Sequence, residues 1–435
     1  MNPRKKRILI FVYISILLIV CVLGVKEYLS RRDVESDEYL RQVRSLLSDA
    51  LKEIKEVRGL SPPENVEFEV VTLSWVKENW GRSYAKAEKE RILREERIYK
   101  ALFVIPENAS LYKAEIEWAG FIMTAVWQGK IYIVREYFDP WNREEAMKTL
   151  LHELTHIIQE KYFSLPERAT FDGGKAKAAL IEGDACLVEE IYENKTNESL
   201  LNTRLFASRD GGLPDSILRL NYFPYVYGLK FVETLYVNGG WNAVNRAYEH
   251  PPTTTEQIMH PEKYFNGEEA EDVEEPTVLG DKWQKVRNDR LGEYFILVML
   301  GNWVSIEEAE RAAEGWGGDN FTYYEKGADY LITWNITWDS LKDAREFYLS
   351  FQSMMQKVEV EEKNRNLWYK HGRYISVKLR GRSTLIVVST DRDAVERMIK
   401  DEILVVYPAI HLTHESLLVK AATRSYNKLK FIFGR

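Results

Sequence analysis

The chain has 435 residues, 29% of them charged and 45% hydrophobic, with a net charge of −7. That length allows two or three domains with a sizeable core, and the acid-leaning balance gives no electrostatic case for nucleic acid as a partner. Its two cysteines are Cys21, in an apolar run, and Cys186, in a predicted helix, so a disulfide framework is excluded.

From the N-terminus, Arg4, Lys5, Lys6 and Arg7 precede the apolar run Ile8–Val25, about the length that spans a bilayer. Beyond it Lys26, Arg31 and Arg32 are offset by Glu27, Asp33 and Glu35. Basic residues resist translocation, so a single-pass signal anchor is expected. Its tail, residues 1–7, stays cytoplasmic and the rest of the chain lies outside. No A-x-A-like site follows the run, which argues against a cleaved signal peptide.

Residues 26–61 carry Leu40, Val43, Leu47, Ala50, Ile54 and Val57 at threes and fours, an amphipathic helix that serves as a stalk or packs on its own domain. Pro62-Pro63 ends it. Strands are expected at Val66–Leu73, Phe103–Pro106, Phe121–Val126 and Lys130–Val134, with a charged helix over Arg82–Ala101. The strand ending near Val134 is expected to be an edge that a peptide extends. Asn142 and Glu145, spaced as a capping box, announce the next helix.

That helix, Met147–Tyr162, reads MKTLLHELTHIIQEKY. His152 and His156, four apart, lie about 40° from each other around a helix axis, so both imidazoles point one way. Glu153 stands at the border of that face, and Met147, Leu150, Leu151, Leu154, Ile157 and Ile158 form an apolar stripe opposite. Two imidazoles for Zn²⁺ and a carboxylate as general base is the H-E-x-x-H arrangement of a zinc hydrolase.

A third protein ligand is needed. A histidine from H-E-x-x-H-x-x-G-x-x-H is excluded, since Gln159 and Tyr162 stand at the glycine and histidine positions. The candidate is Glu182, within Ala-Ala-Leu-Ile-Glu-Gly-Asp-Ala on a second helix running from about Lys175 to Asn194. Glu189, two turns further on that face, suits a histidine Nδ1–H. Asp184 points elsewhere on an ideal helix. Helical segments continue to His260, and Glu268–Glu275 reads as a solvated acidic linker. The remainder alternates strands and helices, with a capping box at Ser305…Glu308 and a hairpin turning at Gly381.

The signatures HELTHIIQEKYFSL (His152–Leu165), ALIEGDACLVEE (Ala179–Glu190), FPYVYGLKFVETLYVNGGWNAV (Phe223–Val244) and PPTTTEQIMHPEKYF (Pro251–Phe265) resemble those of gluzincin-type zinc metallopeptidases. More narrowly, they resemble poorly characterised exported or membrane-anchored prokaryotic zincins. The resemblance is dense from about Val57 to Phe265 and implies zinc on His152, His156 and Glu182, with Glu153 as base. In better-known gluzincins an aspartate four residues after the glutamate orients a ligand histidine; here Cys186 occupies that position, leaving that orientation open.

The expected class is therefore α+β: an N-terminal transmembrane helix (8–25), a zincin-like catalytic domain with an antiparallel or mixed sheet and active-site helices (62–265), an acidic linker (266–280), and a smaller C-terminal α+β domain (281–435). The expected activity is hydrolysis of a peptide or protein substrate outside the cytoplasm. Zinc lowers the pKa of its water to about 7, and Glu153 shuttles the proton. His260, Tyr225 and Tyr227 are the candidate oxyanion donors. The alternative is an inactive zinc-binding surface protein, against which the intact Glu153 argues. An intramembrane protease is disfavoured by Arg143, Glu144, Glu145 and Lys148 ahead of the motif.

Overall fold

Tyr39, Val43, Leu46, Leu47, Ala50, Ile54 and Val57 recur at helical spacing and are all buried, and the segment forms helix α1 (residues 37–58). The computed structural model describes residues 37–80, 86–118, 123–196, 214–277 and 282–400. The apolar run Ile8–Val25 and the histidine pair His411 and His414 lie outside them. The buried face of α1 packs on the apolar stripe of the H-E-x-x-H helix, and the two share one cluster with the small sheet.

The chain continues through β1 (Glu67–Val71), α2 (Leu73–Asn79), α3 (Lys86–Ala101), α4 (Leu111–Trp118), β2 (Thr124–Trp127) and β3 (Lys130–Val134). The first sheet has the order β1-β3-β2, with β1 parallel and β2 antiparallel to β3. Gln128 and Gly129 both take positive φ (53° and 72°) in the β2–β3 turn. That matches the right-handed twist of a hairpin. β3 is thus the central strand, and the edge beside the H-E-x-x-H helix is β2; the expected edge near Val134 is corrected. Phe103–Pro106 forms no strand, because Phe103 turns the chain out of α3 at φ 58°.

Three long helices follow: α5 (Arg143–Tyr162), α6 (Phe171–Thr196) and α7 (Asp215–Glu249), the last interrupted at Gly239 and Gly240. Asn142 precedes α5 without a side-chain cap bond, so the expected box is not formed. Pro224 inside α7 removes the N–H that would reach Leu220 O. The half-buried Lys175 of α6 donates its Nζ to that oxygen at 2.6 Å instead, and desolvation lowers its pKa to about 8.

Two short helices, α8 (Thr255–Met259) and α9 (Pro261–Phe265), lead to β4 (Gln284–Asp289), α10 (Gly292–Gly301) and α11 (Ile306–Ala313). The long hairpin β5 (Trp316–Lys326) and β6 (Asp329–Trp338), α12 (Leu341–Val358), β7 (Glu361–Asn364), β8 (Leu367–Lys370), β9 (Arg373–Arg380), β10 (Ser383–Ser389) and α13 (Arg392–Lys400) complete the second sheet. Its order is β4-β5-β6-β10-β9-β8-β7. One buried cluster runs from Ile92 of α3 through α6, α7 and α10 to Val388 of β10.

Two buried carboxylates tie α6 and α10 to this sheet. Asp172, at the start of α6, accepts from Thr255 N and Oγ1 and from Arg290 Nε. Asp319 on β5 accepts from Leu291 N, Gly292 N and the indoles of Trp316 and Trp334. The acidic segment Glu268–Glu275 lies against the sheet, with Glu271 N bonded to Gly317 O, Arg382 paired to Glu271 at 2.7 Å, and Glu275 held by Lys285 and Tyr324.

The expected class needs correction. The described residues form a mixed α/β structure with thirteen helices and two sheets, and the C-terminal sheet, with seven strands, is the larger. Among the described residues no helix is long and apolar enough to cross a membrane. The most apolar, α10, has ten residues, half of what a bilayer requires, and its side chains are consumed by the core. The long α7 carries charges along its length, among them Arg219, Lys230, Glu233 and Arg246.

Candidate metal centre

α5 presents His152 and His156 toward α6, and α6 answers with Glu182. Glu182 Oε2 lies 3.3 Å from His152 Nε2 and 3.6 Å from His156 Nε2. Both contacts fall short of hydrogen-bond geometry, and the buried Oε2 has no hydrogen-bond partner. Zinc bonds of about 2.0–2.2 Å at tetrahedral angles put neighbouring ligand atoms about 3.3–3.5 Å apart. The three ligand atoms fall within 4.8 Å of one another. A stranded carboxylate oxygen at that spacing from two ring nitrogens is a grouping that could hold a divalent metal ion, and the residues fit zinc.

The glycine beside Glu182 explains how the helices meet. A Cβ on Gly183 would stand 2.2 Å from Gly228 O of α7, and one on Gly228 would stand 2.2 Å from Ala179 O of α6. The two backbones therefore touch. Tyr225, one turn before Gly228, is brought against Glu182, Cys186 and Glu153; burial, reinforced by those neighbours, raises its pKa and keeps the phenol protonated.

Glu153 is buried, and its Oε1 accepts a 2.7 Å bond from Thr124 Oγ1 on the edge strand β2. Its Oε2 has no partner. Behind the ligands, Glu189 Oε1 pairs with His152 Nδ1 at 2.5 Å, which answers the orientation left open by Cys186. His156 Nδ1 bonds Gln159 Oε1 at 2.9 Å. Burial, with the Glu189, Glu182 and Glu190 carboxylates, pushes the Cys186 thiol up, so the alternative group His152, Cys186 and Glu189 offers a protonated sulfur to the ion.

Burial opposes charge on both histidines, but the facing Glu182, and for His152 also Glu189, outweighs it and holds both pKa values above the usual 6.5. Glu182 falls to about 2 despite burial, because both rings face it. Without metal, the stability these histidines confer is complete below 6.5 and is lost as pH rises through their raised values. Glu182 contributes above 4.5 and loses its contribution toward pH 2. Protons also compete with metal for the rings. Zinc affinity is therefore expected to weaken on acidification from a higher pH than ordinary imidazoles would give. Metal-free protein should lose melting temperature between neutral and alkaline pH. Isothermal titration and calorimetry across that range check both.

The other two oxyanion candidates are placed elsewhere. His260 Nε2 pairs with Glu293 Oε1 at 2.9 Å, next to α8, which is anchored at Asp172. The other charged neighbours of His260 are Glu256 and Glu262, neither of them among the three converging ligand groups. Tyr227 stacks on Phe223 and lies edge-on to Tyr294, half-buried against the core, because it projects from a different side of α7 than Tyr225. The carboxylates Glu256, Glu268 and Asp339, close enough to hold a metal, are already bridged by Lys263 Nζ at 2.6, 2.7 and 2.9 Å.

Residues 278–399, which include the whole second sheet, match a family described as a domain of unknown function, DUF8575. No curated protein and no solved structure matches the chain. The match covers neither α5 nor α6.

Proposed function

We propose that the chain is a zinc-dependent peptidase with His152, His156 and Glu182 as metal ligands. The observation that carries this reading is the unpartnered, buried Glu182 Oε2 set at ligand spacing from two imidazole nitrogens, with an unpartnered Glu153 Oε2 beside them. Bound zinc supplies Lewis-acid polarisation of a carbonyl and a water that loses a proton near neutral pH.

The chain's own groups do the rest. Thr124 holds Glu153 Oε1, so Oε2 is left to take a proton from the attacking water and return it to the leaving amine. Tyr225, kept protonated by its surroundings, donates its hydroxyl to the developing oxyanion. Among the described residues β2 is an edge strand at the same place, where an extended peptide adds as a further strand.

Zinc analysis of the purified protein and of Glu153→Gln, each with a mixed peptide library, tests the reading. Tyr225→Phe is expected to lower kcat by about 10²-fold or more while zinc content stays at the wild-type level. Steady-state kinetics beside metal analysis checks this, and an unchanged kcat removes Tyr225 from the mechanism.

A further inference from the structure

Behind His156 runs a chain of hydrogen bonds that ends on the N-terminal helix. Asp184, fully buried one turn before Val188 on α6, accepts from Arg58 Nε and Nη2 at 2.7 and 3.1 Å, from Tyr248 Oη at 2.8 Å, and from Gln159 Nε2 at 3.2 Å. Arg58, the last residue of α1, has no exposed surface. Its Nη2 also donates to Asn245 Oδ1, and its guanidinium lies 4.3 Å over the Trp241 ring.

These contacts set polarity. A guanidinium only donates, so the carboxylate between it and Gln159 serves as acceptor on both sides. Gln159 Nε2 donates to Asp184 and, at 2.9 Å, to Ile181 O, which fixes which end of the amide is which. Gln159 Oε1 is then left for His156, and an amide oxygen accepts only. His156 Nδ1 must carry a hydrogen, so in the neutral ring it is Nε2, on the side where Glu182 waits, that holds the lone pair a metal would take.

We propose that Gln159, Asp184 and Arg58 form a positioning chain that holds His156 in the tautomer and orientation needed to ligate metal, making α1 part of the metal-binding apparatus. This rests on the zinc reading above. A buried ion pair is in itself weak support for stability; here it lies directly behind a ligand, and its carboxylate orients the amide that the ligand bonds. Partners of this kind are worth about 10–100-fold in metal affinity.

The test uses the full chain, stripped of metal, titrated with Zn²⁺ against a chromophoric chelator and separately loaded with Co²⁺ for its visible spectrum. Gln159→Met keeps the volume and removes the acceptor; it should weaken zinc by about 10–100-fold and alter the cobalt bands. Gln159→Glu keeps an oxygen for His156 Nδ1–H. Burial beside Asp184 favours its protonated form, which still has one hydrogen to give in that direction. It should recover most of the affinity lost in the methionine variant and the wild-type spectrum. Arg58→Lys keeps the charge but loses the fork that holds Asp184, and should weaken zinc in the same direction without touching α5.

Melting of the metal-free proteins separates positioning from misfolding, and if Gln159→Met does not fold, Arg58→Lys decides. Wild-type affinity and spectrum in Gln159→Met overturn the positioning chain alone, as does a folded Gln159→Glu that recovers neither. Wild-type affinity in Arg58→Lys removes α1 from the apparatus. A wild-type protein that takes up no zinc overturns the metal reading, and the chain with it.

Discussion

Glu153→Gln is expected to bind zinc as the wild type does and to lose cleavage by about 10²–10⁴-fold, the range that a positioned general base contributes. The geometry separates the two effects. Glu153 is not one of the three converging ligands, so an amide at this position leaves the donor set intact. Thr124 Oγ1 still finds an acceptor in the amide oxygen, so the local hydrogen bond and the β2–α5 contact survive. What disappears is the basic Oε2, which has no partner within the protein. Equal cleavage by both proteins would reject Glu153 as the base. Zinc bound by both with no cleavage by either, over a broad peptide library, would turn the assignment to a zinc-binding surface protein.

Gly228→Ala is expected to cost about 3 kcal/mol or more, the upper end of what overpacking produces. The added Cβ would meet Ala179 O at 2.2 Å and the Ala179 carbonyl carbon at 2.9 Å. Backbone atoms cannot rotate aside, so α6 and α7 must part. Because Glu182 and Tyr225 stand on either side of that contact, zinc affinity and turnover should fall together with the melting temperature. Gly174→Ala is the control. It lies in the same α6, a Cβ there meets nothing within 4 Å, and alanine suits a helix better than glycine by about 1 kcal/mol. Similar melting of the two variants would remove the close helix contact as the determinant of the site.

Much of this was visible in residue spacing. Where a segment's own pattern decides its state, expectation and structure agree closely: Lys130–Val134 is β3, Ser305 caps α11 by accepting from Glu308 N, and the hairpin turning at Gly381 is β9–β10. Where partners decide, agreement fails. Phe103–Pro106 has strand-like composition but is turned back by Phe103, and α7 runs unbroken through Pro224 because Lys175 satisfies the carbonyl left free. The strands β4 and β7 carry too few apolar residues to declare themselves alone, and β8 is only four residues long; they exist because a neighbouring strand offers hydrogen bonds.

The site divides along the same line. His152, Glu153 and His156 lie within one helical turn and a half, so their common face follows from the pitch of a helix, whatever surrounds it. Glu182 and Glu189 were suggested by their own face of α6. Gln159 and Asp184 stand in plain view beside the motif, but their roles depend on Arg58, which is distant in sequence and offered no local signal. His260, Tyr225 and Tyr227 could not be told apart by spacing; only the crossing of α7 over Gly183 puts Tyr225 beside Glu182 and Glu153 and leaves Tyr227 against the core. Periodicity thus determined by itself which side chains share a face. Which faces meet was decided by tertiary packing, because a contact between helices depends on the space left by residues far apart in the chain.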